Sequence, residues 1–127
     1  MTFLVRVPIV PHPCLLPNAQ RRTHFHTWGP EARALREATA WSAAMSPDLG
    51  PTITGPVRIK AVIAWPKRRS GCDFQAAVHA LKAAVDGLED AQVIANDRQV
   101  KGMDIEQIRA EKDDKVGWFT LELVEAT

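Results

Sequence analysis

The sequence predicts a small two-layer α+β domain, a mixed β-sheet with two helices packed on one face, in the order β-α-β-α-β-β. Short segments rich in β-branched and aromatic residues predict the strands. Longer segments whose apolar residues recur at helical spacing lie between them. The 127 residues suffice for a single domain, 1–127, with a core of its own. Placing both helices on one face of the sheet is the simplest packing.

The N-terminal part of the chain predicts a strand, a loop and the first helix. Residues Thr2 to Ile9 have strand composition, and the prolines around and after them predict a long loop over residues 10–29. Pro30 fits the first position of a helix. The apolar residues of this helix repeat at helical spacing: Ala34, Leu35, Ala38, Trp41 and Met45.

The clearest helix covers Phe74 to Leu88 and follows a central strand, Val57 to Trp65, that Pro66 ends. One stripe of this helix is apolar and is expected to face the core: Phe74, Val78, Leu81, Val85 and Leu88. The adjacent stripe is polar and is expected to face a shared cleft beside the core: Gln75, His79, Lys82 and Asp86. Downstream, Val100 to Ile108 and Gly117 to Val124 predict the last two strands.

Composition excludes several classes of protein. The formal net charge of +1 argues against a strongly basic coat, so any polyanion site must be a local patch. Cys14 and Cys72 lack C-x-x-C spacing and are predicted to be free thiols. No apolar run approaches the ~18 residues that span a bilayer, and the start does not resemble a signal peptide. We therefore expect a cytoplasmic protein with no membrane partner.

Acidic residues on both sides of the second helix suggest a site for a divalent metal. Asp73 precedes this helix and Asp97 follows it, so the helix can bring the two carboxylates together. Mg²⁺ is often held by one or two carboxylates and a substrate phosphate, and Lys82 could neutralise charge on that phosphate. Simpler roles remain open. Asp73 could cap the helix, and Asp97 with Asn96 could form a turn. Lys82 could pair with Asp86.

Cations that suit contacts with phosphate occur at several places along the chain: Arg21, Arg22, Lys67, Arg68, Arg69 and Arg98. Aromatic residues 24–28 could stack on exposed bases, although a solvated loop with buried aromatic residues is equally open. The possible zinc ligands lack the spacing of a known zinc site: Cys14, His24, His26 and Cys72.

The order of these features resembles the RusA-type Holliday junction resolvases. The basic run at 67–69 precedes Asp73, and Lys82 lies in the helix that follows. Asp86-Gly87-Leu88 resembles the Asp-x-Leu element of the family. Asn96-Asp97 stands where the family has a pair of aspartates. The segment from Leu16 to Glu37 also looks like the family's arginine-bearing loop and first helix, so the resemblance covers most of the chain.

Three positions depart from the family pattern. Gln75 stands in place of the second acid, Ala76 in place of an asparagine, and Asn96 in place of the first acid of the pair. A site meant to hold several carboxylates then retains two of them, Asp73 and Asp97.

The resemblance implies a homodimeric endonuclease that nicks four-way DNA junctions with Mg²⁺, or alternatively Mn²⁺, in recombination and repair. It implies Asp73 and Asp97 as catalytic metal ligands and Lys82 as the group that stabilises the scissile phosphate. Supporting roles are implied for Gln75, Asp86, Asp90 and Asn96. It also implies a bacterial or phage-infected host cell. Two alternatives remain: a degenerate relative that binds branched DNA without cutting it, and an adaptor that keeps only the fold.

Overall fold

The fold is described by a computed structural model covering residues 2–11, 25–67, 69 and 71–126, with only the backbone of residues 25–28. Its strands and helices follow the order predicted from the sequence, and they confirm a small α+β domain. They are β1 (Thr2–Val7), α1 (Phe25–Ala44), β2 (Val57–Trp65), α2 (Phe74–Ala80), α3 (Lys82–Asp90), β3 (Val100–Arg109) and β4 (Trp118–Glu125). Among the described residues, no helix is long and apolar enough to cross a membrane.

The four strands form one mixed sheet in the order β1-β4-β2-β3. β4 pairs antiparallel with both β1 and β2, whereas β2 and β3 are parallel. Parallel neighbours need a crossover, and here α2 and α3 supply it. The inward side chains of β4 are fully buried, namely Phe119, Leu121 and Leu123. β3 is the last strand in this order and is therefore an edge strand, and its first residues lie beside the helix pair.

The second predicted helix consists of two segments that meet at Leu81. The Leu81 N–H donates to the Ala77 carbonyl at 3.0 Å, so the helical path continues through the junction. Leu81, Val85 and Leu88 of the predicted apolar stripe are buried. The prediction is wrong for Phe74, whose side chain is 53% exposed because it lies at the first position of α2, beyond the packed part of the stripe.

The first helix differs from its prediction at both its start and its buried face. It begins at Phe25, so the predicted loop over residues 10–29 is too long, and Pro30 lies inside the helix. Among the residues of α1 from position 29 onward, Leu35, Thr39 and Ala43 are buried, while Trp41 is 72% exposed. The buried Thr39 hydroxyl donates to the Leu35 carbonyl at 2.8 Å, which removes the cost of burying it. Small residues on this face let α1 approach α3 closely.

An exposed ion pair joins helices α1 and α3. Arg36 of α1 donates to both carboxylate oxygens of Asp90, at the end of α3, at 2.6 and 2.7 Å. The hydrogen bond from Arg36 holds the pKa of Asp90 below its ordinary value. A carboxyl whose pKa is lower in the folded state stabilises that state above its unfolded pKa, and the contribution is lost as pH falls through the folded pKa.

Replacing Asp90 with Asn should therefore flatten the acid limb of the stability profile. Between about pH 6 and pH 3 the parent should lose more stability than Asp90→Asn, since aspartate titrates near pH ~3.9 when unfolded. Urea midpoints measured across this range test the prediction. Arg36→Leu serves as the matched variant and should show the same flattened profile. Parallel acid limbs in all three proteins would contradict the assignment.

Candidate functional site: a groove between the helix pair and the edge strand

An open groove of about 530 Å³ lies between the helix pair and the beginning of β3. The helix wall carries all four residues of the polar stripe: Gln75, His79, Lys82 and Asp86. The opposite wall carries Asp97 and Lys101. Two carboxylates from different elements and two lysines thus line one surface. Such a surface can hold a cation between its acids and an anion beside its lysines.

The helix wall is positioned by the three-residue element Asp86-Gly87-Leu88. Leu88 is fully buried in the core, and Asp86 lies along the groove. Gly87 contacts α1 so closely that a Cβ atom at this position would lie 2.5 Å from the Arg36 carbonyl oxygen. Leu88 therefore anchors the element in the core, Gly87 allows the close contact with α1, and this contact fixes the position of Asp86 in the groove.

The opposite wall is held by a capping box around a 3-10 turn, Asp97–Gln99. The Asn96 side chain accepts from the Arg98 N–H at 2.8 Å, while Gln99 Oε1 accepts from the N–H of Asn96 at 2.9 Å. Gln99 Nε2 also donates to the carbonyls of Ile53 and Gly55, at 2.7 and 2.8 Å. Asp97 thus projects from a turn whose backbone is tied to the loop before β2.

Asn96 and Asp97, both singled out from the sequence, have structural roles in this turn. Asn96, a candidate supporting residue, acts here as the cap of the turn. Gln99 was missed by the sequence reasoning, although Asn followed by Gln three residues later is close to the capping-box pattern. The turn role considered for Asp97 is also present, and the residue lines the groove in addition.

Asp73 lies outside the groove that contains Asp97. Its Oδ1 accepts from the Ala76 N–H at 2.8 Å, so Asp73 is the N-cap of α2. Its side chain lines a neighbouring depression with Trp65, Gln107 and Arg109. The two carboxylates implied as metal ligands therefore line different surfaces, and Asp86 is the acid that shares the groove with Asp97.

Gln107 of β3 fastens the part of the loop that lies next to Asp73. Gln107 Nε2 donates to the Cys72 carbonyl, and its Oε1 accepts from the Cys72 N–H at 2.9 Å and from Trp65 Nε1 at 2.8 Å. A Cβ atom at Gly71 would lie 2.6 Å from Gln107 Oε1, so a larger residue there would displace the side chain that makes these hydrogen bonds. The sequence signals neither role, because all these contacts join distant parts of the chain.

The candidate phosphate-binding cations have different environments. Arg69 is half-buried, donates to the Pro11 carbonyl at 2.6 Å and places its guanidinium 4.7 Å from the centre of the Trp65 ring. Burial lowers its pKa. Lys67 and Arg98 are exposed. Arg21, Arg22 and Arg68 lie outside the described residues, as do the proposed stacking side chains at 24–28 and Cys14.

Asp90, another acid with an implied supporting role, does not line the groove. Both oxygens of Asp90 are bonded to Arg36, so this residue is engaged away from the groove. In the part of the chain that the structure describes, no three or more His, Cys, Asp or Glu side chains form a metal-binding group. Asp86 and Asp97 line the same groove and offer the carboxylate oxygens that Mg²⁺ prefers, and phosphate oxygens and water commonly supply the other ligands of this ion.

Neither a scan of protein-family models nor a search of curated proteins finds a match to this chain. The functional assignment therefore depends on the chemistry of the groove and on the order of the sequence motifs.

Proposed function

We propose that the chain is a RusA-like, Mg²⁺-dependent endodeoxyribonuclease that resolves four-way DNA junctions and related branched DNA. The observation that carries the proposal is the groove in which Lys82 and Asp86 face Asp97 and Lys101. Hydrolysis of a phosphodiester needs carboxylates that hold a metal and cations that offset charge on the phosphate. One open surface provides both.

Three of the charged side chains in the groove are accessible to a ligand, whereas Lys101 Nζ also donates to the Arg98 carbonyl at 3.0 Å. Lys82 and Asp97 are exposed, and Asp86 is half-buried. Among the described residues no ion pair joins Lys82 to Asp86, so the simpler role considered for this lysine is not seen. An ammonium group without a carboxylate partner can contact a phosphate oxygen at lower cost, because no existing ion pair must be broken.

Asp86 and Asp97 are the residues that would hold Mg²⁺, and the ion would polarise the phosphoryl oxygen and activate water. The charged side chains would orient the DNA backbone, because Lys82 and Lys101 attract a phosphate while Asp86 and Asp97 repel it unless a cation intervenes. We expect metal affinity to be weak without DNA, since two carboxylates leave most coordination positions to phosphate and water.

A homodimer and a cytoplasmic location in a bacterium or a phage-infected cell belong to the same proposal. The homodimer and the kind of host cell derive from the family resemblance, whereas the cytoplasmic location was expected from the lack of a long apolar run and of a signal-peptide pattern. A two-fold symmetric enzyme suits a four-way junction, because each subunit can then nick one of two equivalent strands.

A junction assay tests the proposal. A labelled synthetic four-way junction is incubated with the protein in Mg²⁺ and, separately, in EDTA. Nicking only with Mg²⁺ supports the nuclease. Binding by gel shift in EDTA without nicking in Mg²⁺ supports the degenerate binder, and neither binding nor nicking leaves the adaptor.

The degenerate binder is favoured by Gln75, a neutral residue in the groove where the family has an acid. Gln75→Asp would add a third carboxylate at the second position of α2, where negative charge also suits the helix dipole. If the site keeps its geometry, this variant should bind Mn²⁺ at least tenfold more tightly by calorimetry and should gain nicking activity. Gln92→Asp, an exposed glutamine outside the groove, is the control and should change neither.

A further inference from the structure

A further pocket of about 460 Å³ lies beyond the far end of β3, and four cations among the described residues line it. Lys67 and Arg69 come from the loop after β2, and Lys112 and Lys115 come from the turn between β3 and β4. Neither Lys112 nor Lys115 has a role in the groove. Among the described residues, Asp114 is the single acid in the lining.

The acid in this pocket already has partners. Asp114 Oδ1 accepts from the N–H groups of Val116 and Gly117, at 3.1 and 2.8 Å. These hydrogen bonds offset part of its negative charge and shape the turn. Glu111 and Asp113 are exposed in the same turn but do not line the pocket. The lining itself therefore carries a clear excess of positive charge, on a chain whose formal net charge is only +1.

The cations are presented by an ordered backbone. Arg109 Nη1 donates to the carbonyls of Lys67 and Arg69 at 3.1 and 2.9 Å, and thus ties the loop after β2 to the end of β3. Arg69 is held in turn over the Trp65 ring. Contacts of this kind reduce the entropy lost when the loop meets a ligand.

The pocket and the groove lie near opposite ends of β3. β3 is ten residues long, so at ~3.3 Å per residue its two ends are roughly 30 Å apart. The depression lined by Asp73, Gln107 and Arg109 lies at the far end of the strand. Duplex DNA rises ~3.4 Å per base pair, so this distance corresponds to roughly nine base pairs.

We infer that this pocket, defined by Lys67, Arg69, Lys112 and Lys115, is a second phosphate site that holds the backbone of a duplex DNA arm about nine base pairs from the groove. The inference deepens the proposed function and rests on it for the position of the DNA. The pocket would bind the anionic phosphodiester backbone and would not recognise particular bases, because contacts from lysines to phosphates carry no sequence information.

The test compares Lys112→Gln/Lys115→Gln with Arg58→Gln/Lys60→Gln. The second pair removes the same charge from exposed positions in β2, on the face of the sheet that points away from the core. Binding of a fluorescent junction with arms of about 15 base pairs is measured by anisotropy in EDTA over a series of salt concentrations. Loss of two phosphate contacts should reduce the slope of log affinity against log salt by about 1 to 2 and weaken binding about tenfold. The control pair should change both much less.

Hydroxyl-radical footprinting locates the contact. The parent should protect backbone about nine base pairs from the branch point, and the Lys112→Gln/Lys115→Gln variant should lose that protection while keeping protection at the branch. Equal effects of the two variant pairs, or an unchanged footprint, would overturn the inference. Its failure is distinct from failure of the nuclease proposal: a protein that does not nick, yet protects the arm through these lysines, supports the pocket and refutes catalysis.

Discussion

Asp97→Asn is expected to reduce nicking of a four-way junction about 100-fold or more in Mg²⁺ while leaving binding in EDTA intact. The substitution keeps the size of the side chain and removes the charge that would hold the metal. Asp97 is exposed, and its turn is held by the Asn96 and Gln99 side chains, so the fold should not change. Binding without metal should even tighten slightly, because one negative charge facing the phosphates is gone.

The control for this experiment is Asp104→Asn. Asp104 is an exposed carboxylate on the open face of the sheet, 4.0 Å from Arg58 and outside the groove. It should nick at the parental rate. Rates are measured under single-turnover conditions with thermal melts alongside. Equal nicking by parent and Asp97→Asn would remove Asp97 from the mechanism, and an absence of nicking in the parent would refute the nuclease itself.

Gly87→Ala is expected to destabilise the fold by about 2 kcal/mol, which lowers the melting temperature by roughly 6–10 °C for a domain of this size. The added methyl group would lie 2.5 Å from the Arg36 carbonyl oxygen and 2.9 Å from Thr39 Cβ. One of these is a backbone atom, so the clash is relieved only if α1 and α3 separate. Their separation exposes buried residues of both helices and moves Asp86.

Gly55→Ala is the matched substitution, because nothing lies within 4 Å of the added Cβ atom. It should leave the melting temperature unchanged or raise it slightly, since alanine restricts the unfolded chain. Differential scanning calorimetry of the three proteins checks the pair. If Gly87→Ala melts like Gly55→Ala, the helices are not packed as closely as described.

The order and type of the strands and helices could be predicted because the composition and apolar spacing within each segment reflect which of its residues are buried. Alternate residues of β4 are buried, namely Phe119, Leu121 and Leu123, and these belong to the apolar and aromatic residues whose composition predicted the strand. Local pattern was less informative for α1. Trp41 repeats with the apolar residues of that helix, yet it is exposed, because the face that meets α3 is selected by small residues on both helices.

The candidate site was predictable where it depends on helix geometry and not where it depends on contacts across the fold. The sequence by itself determined that Gln75, His79, Lys82 and Asp86 share a face, since 3.6 residues per turn settles it. Only the tertiary structure decided which acid stands opposite Asp97. Gly87 seats α3 against α1 and so places Asp86 in the groove, whereas the cap at the start of α2 turns Asp73 toward the neighbouring depression. Spacing along a chain specifies which residues face one way, but the approach of two distant segments depends on packing between residues that the local sequence does not relate.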